Sequence, residues 1–305
     1  MIDISGIYEV HDARFKSLII PHAVPVKIAD GILWGEGPVW FAEHDCLVWS
    51  DIPNDKMWRY LPGLGTAVFR APSNYSNGNT RDRQGRLVTC EHGTRRVTRT
   101  QPDGTIEVIA DAFDGRKLNS PNDVVVAADD AIWFTDSSYG ILTDYVGHKA
   151  QPEYDGCYVF RVDPITRRVD AMLTDFVMPD GLAFSPKGDR LYVSDSGFSH
   201  DPRAPHHVRV FNVTDGKHLS DGRIFADIKP GIPDGLRVDV QGNVWICAKD
   251  GIQVFDAEGS FLGKIKLPAT SSNLCFGGAR YDRLFITATD SVWTVAVNVQ
   301  GARRP

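Results

Sequence analysis

Six short segments of the chain carry an acid or an amide at the same point of a repeating pattern. In each segment this residue directly precedes a short, mostly apolar run, and a second strand-like run follows. The six residues are Glu36, Asn77, Asn122, Asp180, Asp234 and Asn273. Three carboxylates brought together would repel one another and raise one another's pKa, so their convergence requires protons, a basic group or a cation.

Carboxylate and amide oxygens, together with water, are the ligands that a hard divalent cation prefers. Calcium, magnesium and manganese suit such ligands better than copper does, and zinc is a further option through the carboxylates. For any single segment a turn is the simpler interpretation, because Asp-Gly and Asn-Gly pairs often make turns. The repetition of the pattern six times favours a metal site.

The spacing of the second strand-like runs indicates the fold. Measured between equivalent apolar residues, the steps along the chain are 40, 45, 59, 53 and 40 residues. The residues used are Leu47, Leu87, Ile132, Leu191, Val244 and Leu284. Repeats of about 40 to 50 residues with several short strands each are typical of β-propeller blades. The sequence therefore predicts an all-β, six-bladed β-propeller with a divalent metal in the central channel, because the first strand of each blade lines that channel.

The domain organisation follows from the same repeats. Residues 31–305 are predicted to form a single six-bladed domain, and residues 1–30 a lead-in. A strand of this lead-in could pair with the last blade, where Val292–Val297 is the expected partner. Propellers commonly close their ring in this way, which leaves no exposed edge between the first and last blades.

The two longest repeats contain insertions at Asp136–Gly156 and Asp195–His207. Both follow the second strand of a blade, and adjacent antiparallel strands reverse direction. The insertions are therefore expected to overhang the end of the channel that carries the six oxygen-bearing residues. Long loops in compact domains often serve as lids or binding loops, and a surface excursion without a role is the alternative.

Several residues near these loops are weaker candidates for substrate contact. His92 follows a second strand and should lie on the site face, either as a ligand-binding or as a structural histidine. Tyr139 and Tyr154 could contact a sugar ring, or anchor the first insertion to the body of the protein. A further set of acids recurs just after second strands and is interpreted mainly as turn residues, with a possible supporting role at the site: Asp51, Asp136 and Asp195.

Composition excludes several classes of function. The formal net charge of the 305 residues is -6 and there is no long run of Lys and Arg, which argues against nucleic acid and anionic membranes as partners. No apolar span of 18 residues and no secretory signal pattern is present, so a cytoplasmic protein is expected. The five cysteines show no CxxC spacing and are interpreted as reduced packing residues. No serine-nucleophile elbow, HExxH, Walker or dinucleotide motif occurs.

Taken together, six motifs resemble the senescence-marker-protein, gluconolactonase and luciferin-regenerating-enzyme family, and most closely its bacterial gluconolactonases. They are WGEGPVW, LVTCEHGTRRVTR, KLNSPNDVVV, PDGLAFSP, IPDGLRVD and LCFGG. The resemblance runs from about Gly31 to the end of the last blade. It implies a six-bladed propeller that holds one catalytic divalent cation in its central channel.

The resemblance also implies roles for individual residues. The family's metal ligands fall on Glu36, Asp180 and Asp234, and more distant phosphotriesterase members add an amide ligand at Asn122. Asn122 also matches a substrate-contacting amide, and Asp234 matches the proposed catalytic base. At the position of Asp180 the family usually has Asn. Ser120 replaces an Arg of the animal enzymes, so the contacts to the sugar lactone cannot all be transferred.

The function predicted from these features is metal-dependent hydrolysis of a sugar lactone, such as glucono-1,5-lactone to gluconate, by metal-activated water in carbohydrate metabolism. Asp234 is the predicted catalytic residue. The metal ligands are Glu36, Asn122, Asp180 and Asp234, with calcium first and zinc, magnesium or manganese as alternatives. The predicted substrate-binding residues are Asn77, Asn122, His92 and Tyr139. The expected partner is a small-molecule lactone, and the expected state is a monomer or weak dimer. The alternatives are another ester or phosphotriester hydrolase, or a non-catalytic calcium-binding scaffold.

Overall fold

The computed structural model describes residues 6–302, and the chain within these bounds is built almost entirely from β-strands. Six antiparallel sheets, five of them with four strands and one with five, form the blades of a propeller. Helical structure in the described residues consists of the short helix α1 and a few 3-10 turns, Ala13–Ser17, Ala42–His44 and Gly197–Ser199. The predicted all-β, six-bladed propeller is confirmed.

The strands and the helix have the following bounds in chain order: β1 Tyr8–Val10, β2 Val26–Asp30, β3 Gly35–Phe41, β4 Cys46–Asp51, β5 Lys56–Leu61, β6 Gly65–Arg70, β7 Ser76–Arg81, β8 Leu87–Glu91, β9 Arg96–Thr100, β10 Ile106–Ala110, β11 Ala112–Phe113, β12 Arg116–Lys117, β13 Ser120–Val126, β14 Ile132–Ser137, α1 Tyr139–Leu142, β15 Cys157–Val162, β16 Val169–Phe176, β17 Pro179–Phe184, β18 Arg190–Asp195, β19 His207–Thr214, β20 His218–Asp227, β21 Leu236–Val238, β22 Val244–Ala248, β23 Gly251–Phe255, β24 Phe261–Lys266, β25 Ser271–Gly277, β26 Arg283–Ala288 and β27 Ser291–Ala296.

Each blade begins with its inner strand. The blade orders are β3-β4-β5-β6, β7-β8-β9-β10, β13-β14-β15-β16, β17-β18-β19-β20, β21-β22-β23-β24-β1 and β25-β26-β27-β2. Each inner strand contacts the inner strand of the next blade, and β25 contacts β3, so the inner strands form a closed ring. The residues that start these strands therefore surround one axis.

The N-terminal segment adds the outermost strands of the last two blades. Strand β2 pairs with β27, with Val26 opposite Thr294. Strand β1 pairs with β24, with Tyr8 opposite Ile265. The sixth blade thus contains strands from both ends of the chain. This pairing joins the first and last blades without leaving the edge of β27 exposed.

The core lies between the blades and is built from the apolar faces of the strands. The largest fully buried side chains include Trp49, Trp133 and Trp245, each on the second strand of a blade. The five cysteines are all buried and free, as predicted. In the described residues no helix is long and apolar enough to span a membrane.

Four glycines set the distance between neighbouring inner strands. Each directly follows one of the oxygen-bearing residues, and a Cβ on it would stand within 2.5 Å of an atom of the next blade: Gly37, Gly78, Gly181 and Gly235. Among them only Gly37 has a positive φ, of 51°. The glycine that follows the acid or amide is therefore required mainly for close approach between blades, more than for a turn.

Candidate active site

Five of the six oxygen-bearing residues line a single cavity at one mouth of the channel. The cavity has a volume of about 260 Å³, which suits a small ligand. Its lining comprises Trp34, Glu36, Ile52, Asn77, His92, Asn122, Tyr139, Tyr145, Val146, Asp180, Ser199, Ile232 and Asp234. The residues predicted as catalytic, metal-binding or substrate-binding are all in this set, whereas Tyr154, a weaker candidate for contact with a sugar, is not. Apolar side chains form part of the walls, and the sequence analysis did not single them out.

Asn273, the sixth oxygen-bearing residue, supports the site from outside the cavity. Its Nδ2 donates a hydrogen bond to Oε2 of Glu36 at 3.1 Å. The same Oε2 accepts from the backbone N–H of Gly37 at 3.0 Å. These two bonds orient the Glu36 carboxylate, so the sixth blade contributes to the position of the first blade's acid.

The three carboxylates of the cavity interact strongly. Burial raises the pKa of Glu36 to about 8, and repulsion from Asp180 adds to the rise. Burial also raises the pKa of Asp180 to about 7, while its hydrogen bonds to Ser196 and Asp234 oppose the rise. The pKa of Asp234 lies well above its usual value through burial and repulsion from Asp180 and Glu36. Without a cation, Glu36 and Asp180 therefore hold protons more readily near neutral pH than ordinary carboxyl groups do.

A fourth buried carboxylate, Asp123, lies next in sequence to Asn122. It repels the three carboxylates of the cavity and contributes to their raised pKa values. Its Oδ2 is 3.2 Å from Nη1 of Arg237 in the fifth blade. Arg237 also lines a second cavity, which is walled by more distal residues of the inner strands. The ion pair therefore connects the third and fifth blades between the two cavities, a contact that the sequence analysis missed.

Hydroxyl groups of the second strands fix the backbone of the site residues in the next blade. Ser50 Oγ donates to the carbonyl oxygen of Asn77 at 2.8 Å. Thr135 Oγ1 donates to that of Asp180, and Ser194 Oγ donates to that of Asp234, both at 2.7 Å. Each site residue is thus positioned by the preceding blade as well as by its own strand.

The acids at the ends of the second strands hold the segments that lead into the inner strands. Asp51 Oδ1 accepts from the N–H of Leu33 at 3.0 Å, and Asp136 Oδ2 accepts from the N–H of Asn119 at 2.7 Å. Asp195 accepts from the N–H groups of Val177 and Met178, both at 3.0 Å. These residues support the site from behind, which agrees with the supporting role considered for them beside that of turn residues.

Glu91 is the equivalent residue of the second blade and was not singled out from the sequence. Its Oε2 accepts from Nδ2 of Asn74 at 3.2 Å and pairs with Arg96 at 2.8 Å. The signal was present, since LVTCE matches LVWSD, IWFTD and LYVSD in position. The match was overlooked because this segment ends in Glu where the other three end in Asp.

The two insertions meet above the cavity, as their position after second strands predicted. The hydroxyl of Tyr139, on the first insertion, lies 2.9 Å from Oγ of Ser199 on the second. Its ring also contacts that of His200, with centroids 5.4 Å apart. Tyr145 and Val146 of the first insertion complete this side of the wall.

Tyr154 lies away from the cavity and anchors the first insertion. Its hydroxyl donates to Asp136, and its ring packs against Tyr158 with centroids 5.2 Å apart. Of the two roles considered for Tyr154, the contacts support the anchor. A direct contact with a ligand in the cavity is excluded by its place in the core between the second and third blades.

The chemistry of these donors fits a hard divalent cation. Among residues 6–302, no group of three or more His, Cys, Asp and Glu side chains has the close arrangement of a complete metal centre. The donors that line the cavity are three acids with raised pKa values and two amides, and Oδ1 of Asn77 is a buried acceptor without a partner in the described structure. Oxygen donors that repel one another are stabilised by a cation of this class.

The protein is thus a six-bladed propeller with an acidic cavity at the mouth of its central channel. Residues 34–290 match the model of the SMP-30/gluconolactonase/LRE-like region, so the chain belongs to this family. The resemblance recognised from the motifs is thereby confirmed.

Individual relatives cover most of the chain. A gluconolactonase of Zymomonas mobilis is 32% identical over 93% of this chain and 84% of its own length. A pentonolactonase of Haloferax volcanii is 25% identical over 83% of this chain and 80% of its own. The solved structure of a gluconolactonase from Xanthomonas campestris superposes with a TM-score of 0.89 and 35% identity, covering 95% of this chain and 94% of that one.

Proposed function

We propose that this protein is a metal-dependent lactonase that hydrolyses a sugar lactone, with glucono-1,5-lactone as the first candidate. The lactone-hydrolase class of the enzyme follows from its named relatives, a gluconolactonase and a pentonolactonase. The observation that carries the proposal is the set of three mutually repelling carboxylates on one small cavity: Glu36, Asp180 and Asp234.

The proposed cation ligands are Glu36, Asn122, Asp180 and Asp234, with calcium as the preferred ion. Zinc, magnesium and manganese are the alternatives. When bound, a divalent cation supplies positive charge that polarises the lactone carbonyl and offsets charge on its oxygen in the transition state. This charge also resolves the repulsion that raises the pKa of the three acids.

Asp234 is the proposed general base. Its carboxylate, ionised in the cation-bound protein, takes a proton from the water that attacks the lactone carbonyl. Asp180 lies close enough to Asp234 for the two carboxyl groups to interact, so its charge acts directly on the base. The ring C–O bond then breaks and its oxygen takes up the proton held by Asp234, which gives an aldonic acid whose carboxyl group releases a proton to solvent.

Substrate orientation is assigned to residues on the walls of the cavity. Asn122 and Tyr139 are the proposed lactone contacts, because both line the cavity. The Nδ2 of Asn122 lies 3.5 Å from Oγ of Ser137. His92 has both ring nitrogens engaged, with Asn77 and with Val146, so its contribution is indirect. The two insertions shield the reacting atoms from bulk water, which strengthens electrostatic interactions in the cavity.

A role in carbohydrate metabolism follows from this activity. We also propose a cytoplasmic location, because five buried free cysteines suit a reducing compartment. A small-molecule lactone is the expected partner, and a monomer or weak dimer is the expected state.

The proposal is tested by measuring acid release at constant pH from three substrates in the presence of calcium. The substrates are glucono-1,5-lactone, a linear carboxylic ester and a phosphotriester, each corrected for spontaneous hydrolysis. Preference for the lactone supports the proposal. Preference for either of the other two substrates would assign another hydrolase activity to the same site. Tight calcium binding without turnover of any substrate would indicate a scaffold.

A further inference from the structure

Beyond the roles assigned above, His92 occupies an unusual position between the first insertion and the second blade. It is 2% exposed, and its Nδ1 lies 2.9 Å from the carbonyl oxygen of Val146. Its Nε2 lies 3.1 Å from Nδ2 of Asn77. A backbone carbonyl can only accept, so Nδ1 must carry a hydrogen. Burial lowers the pKa of His92 to about 4, which keeps the ring neutral at physiological pH.

A neutral ring with its hydrogen on Nδ1 has a lone pair on Nε2. Only the NH2 group of Asn77 can bond to that lone pair, because the amide oxygen is an acceptor. The carbonyl of Val146 therefore determines which way the Asn77 amide points. The amide oxygen, Oδ1, is turned away from His92, and in the described residues it is buried without a hydrogen-bond partner.

An unpartnered buried acceptor costs stability, and native proteins keep few of them. Asn77 lines the candidate active-site cavity, and the nearby Ser50 Oγ bonds to the backbone carbonyl of Asn77 and not to its side chain. The first insertion also packs closely on the ring, because a Cβ on Gly140 would stand 2.6 Å from the Cβ of His92. Packing and hydrogen bonds thus fix the position of the His92 ring.

We infer that His92 is a positioning residue that holds Asn77 Oδ1 as an acceptor for an electropositive group of the bound complex. This group is either a ring hydroxyl of the lactone or the cation. The inference rests on the proposed function for the identity of the ligand, whereas the direction of the amide follows from the burial and the hydrogen bonds of His92. It explains why a neutral histidine lines a site whose chemistry needs no second base.

The first test is the tautomer of His92, measured by nitrogen-15 NMR on the full-length wild-type protein with calcium and after chelation. The expected result is a protonated Nδ1 and an imine-type Nε2, unchanged between pH 5.5 and 8. A hydrogen on Nε2, or a charged ring in this range, would overturn the inference whether or not the protein is a lactonase.

The second test uses Asn77→Leu and His92→Phe, with His206→Phe as the matched control. His206 Nδ1 also bonds to a backbone carbonyl, that of Ile228 at 3.0 Å, but His206 is outside the cavity lining. Two quantities are measured: the kcat/KM ratio of glucono-1,5-lactone to the unhydroxylated δ-valerolactone, and the Kd of calcium.

Asn77→Leu should lower the ratio, or weaken calcium binding, by about tenfold, the value expected for one hydrogen bond or ligand contact. A fall in the ratio identifies a lactone hydroxyl as the partner, and weaker calcium binding identifies the cation. His92→Phe should shift the same quantity in the same direction by a smaller factor, and the control should shift neither. If Asn77→Leu leaves both quantities within twofold of wild type, the inference is wrong. If wild-type protein hydrolyses neither lactone, the proposed function fails, and the calcium and NMR measurements still decide the inference.

Discussion

The Cα of Gly181 in the fourth blade lies directly against the backbone carbonyl of Asp234 in the fifth, where a Cβ would stand 2.5 Å from the oxygen. Gly181 has no positive φ, so the contact arises from close approach between blades and not from backbone strain. Because Gly181 has no side chain, the fourth and fifth blades approach closely, and Asp180 and the proposed base Asp234 lie side by side.

Gly181→Ala should therefore disturb the site by overpacking. The expected loss is about 1–3 kcal/mol in the free energy of unfolding, together with reduced lactone hydrolysis. Urea denaturation measures the first and the constant-pH assay the second. Gly6→Ala is the control, since a Cβ there meets nothing within 4 Å. If Gly181→Ala and Gly6→Ala have equal free energies of unfolding, the fourth and fifth blades can move apart without loss of stability.

Cation binding should release protons near neutral pH. Glu36 has a pKa of about 8 and Asp180 one of about 7, so both retain protons in the cation-free protein at pH 6.5. Cation affinity should rise with pH between 6 and 8, by up to about tenfold per unit for each proton displaced. Calorimetry in buffers of different ionisation enthalpy counts the protons. An affinity independent of pH between 6 and 8, with no proton release, would contradict the raised pKa values.

The same shifts set the pH dependence of stability in the cation-free protein. The pKa of Glu36 rises from 4.5 to about 8 on folding, so the folded state binds more protons than the unfolded state within that window. Its contribution is therefore fully present below pH 4.5 and is lost as the pH rises through 8. Thermal unfolding of chelated protein should show this decline more strongly in wild type than in Glu36→Gln. If the unfolding temperatures of chelated wild type and Glu36→Gln change in parallel with pH, the raised pKa of Glu36 is contradicted.

Asp180→Asn introduces the residue that the family resemblance implies at this position and tests the extra charge of this chain. Asp180 is the main source of charge repulsion on Glu36 and on Asp234, so the variant should lower both pKa values. We expect weaker cation binding at pH 8, fewer protons released, and a flatter dependence of affinity on pH. Titration calorimetry at pH 6 and 8 provides the comparison. Unchanged affinity at pH 8 would show that the charge of Asp180 does not contribute to cation binding.

The contact between Tyr139 and Ser199 should couple the two insertions. Removing either hydroxyl frees the segments that meet above the cavity, so Tyr139→Phe and Ser199→Ala should each raise KM for the lactone by a few fold and increase hydrogen exchange near Gly197–Ser199. The double variant should add little to either single change, because the two side chains share one interaction. Fully additive effects would show that the insertions act independently.

Much of this architecture could be predicted from the sequence. The repeat spacing predicts six blades, and the position of Glu36 and its equivalents predicts a common cavity. Patterns within one strand cannot report contacts between blades, however. For this reason the pairing of Asp123 with Arg237, and the support of Glu36 by Asn273, emerged only from the fold. The glycine after each acid was visible in the sequence, but close packing and turn formation select the same residue.

The direction of the Asn77 amide was equally beyond the sequence. It depends on the carbonyl of Val146, which lies 54 residues from His92 along the chain. Such a contact is set by the path of the first insertion. Sequence patterns locate the insertion but do not define its path.

The most direct test of the account is lactone hydrolysis by chelated protein, with calcium, magnesium, manganese or zinc restored one at a time, in wild type and in Asp234→Asn. Asp250→Asn, which removes a partly buried carboxylate paired with Lys264 in the same blade, is the control. The account predicts that chelation abolishes turnover, that one cation restores it, and that Asp234→Asn lowers kcat by at least about a hundredfold, the range of general-base catalysis. Normal turnover by chelated wild type, or by Asp234→Asn with the cation present, would contradict it.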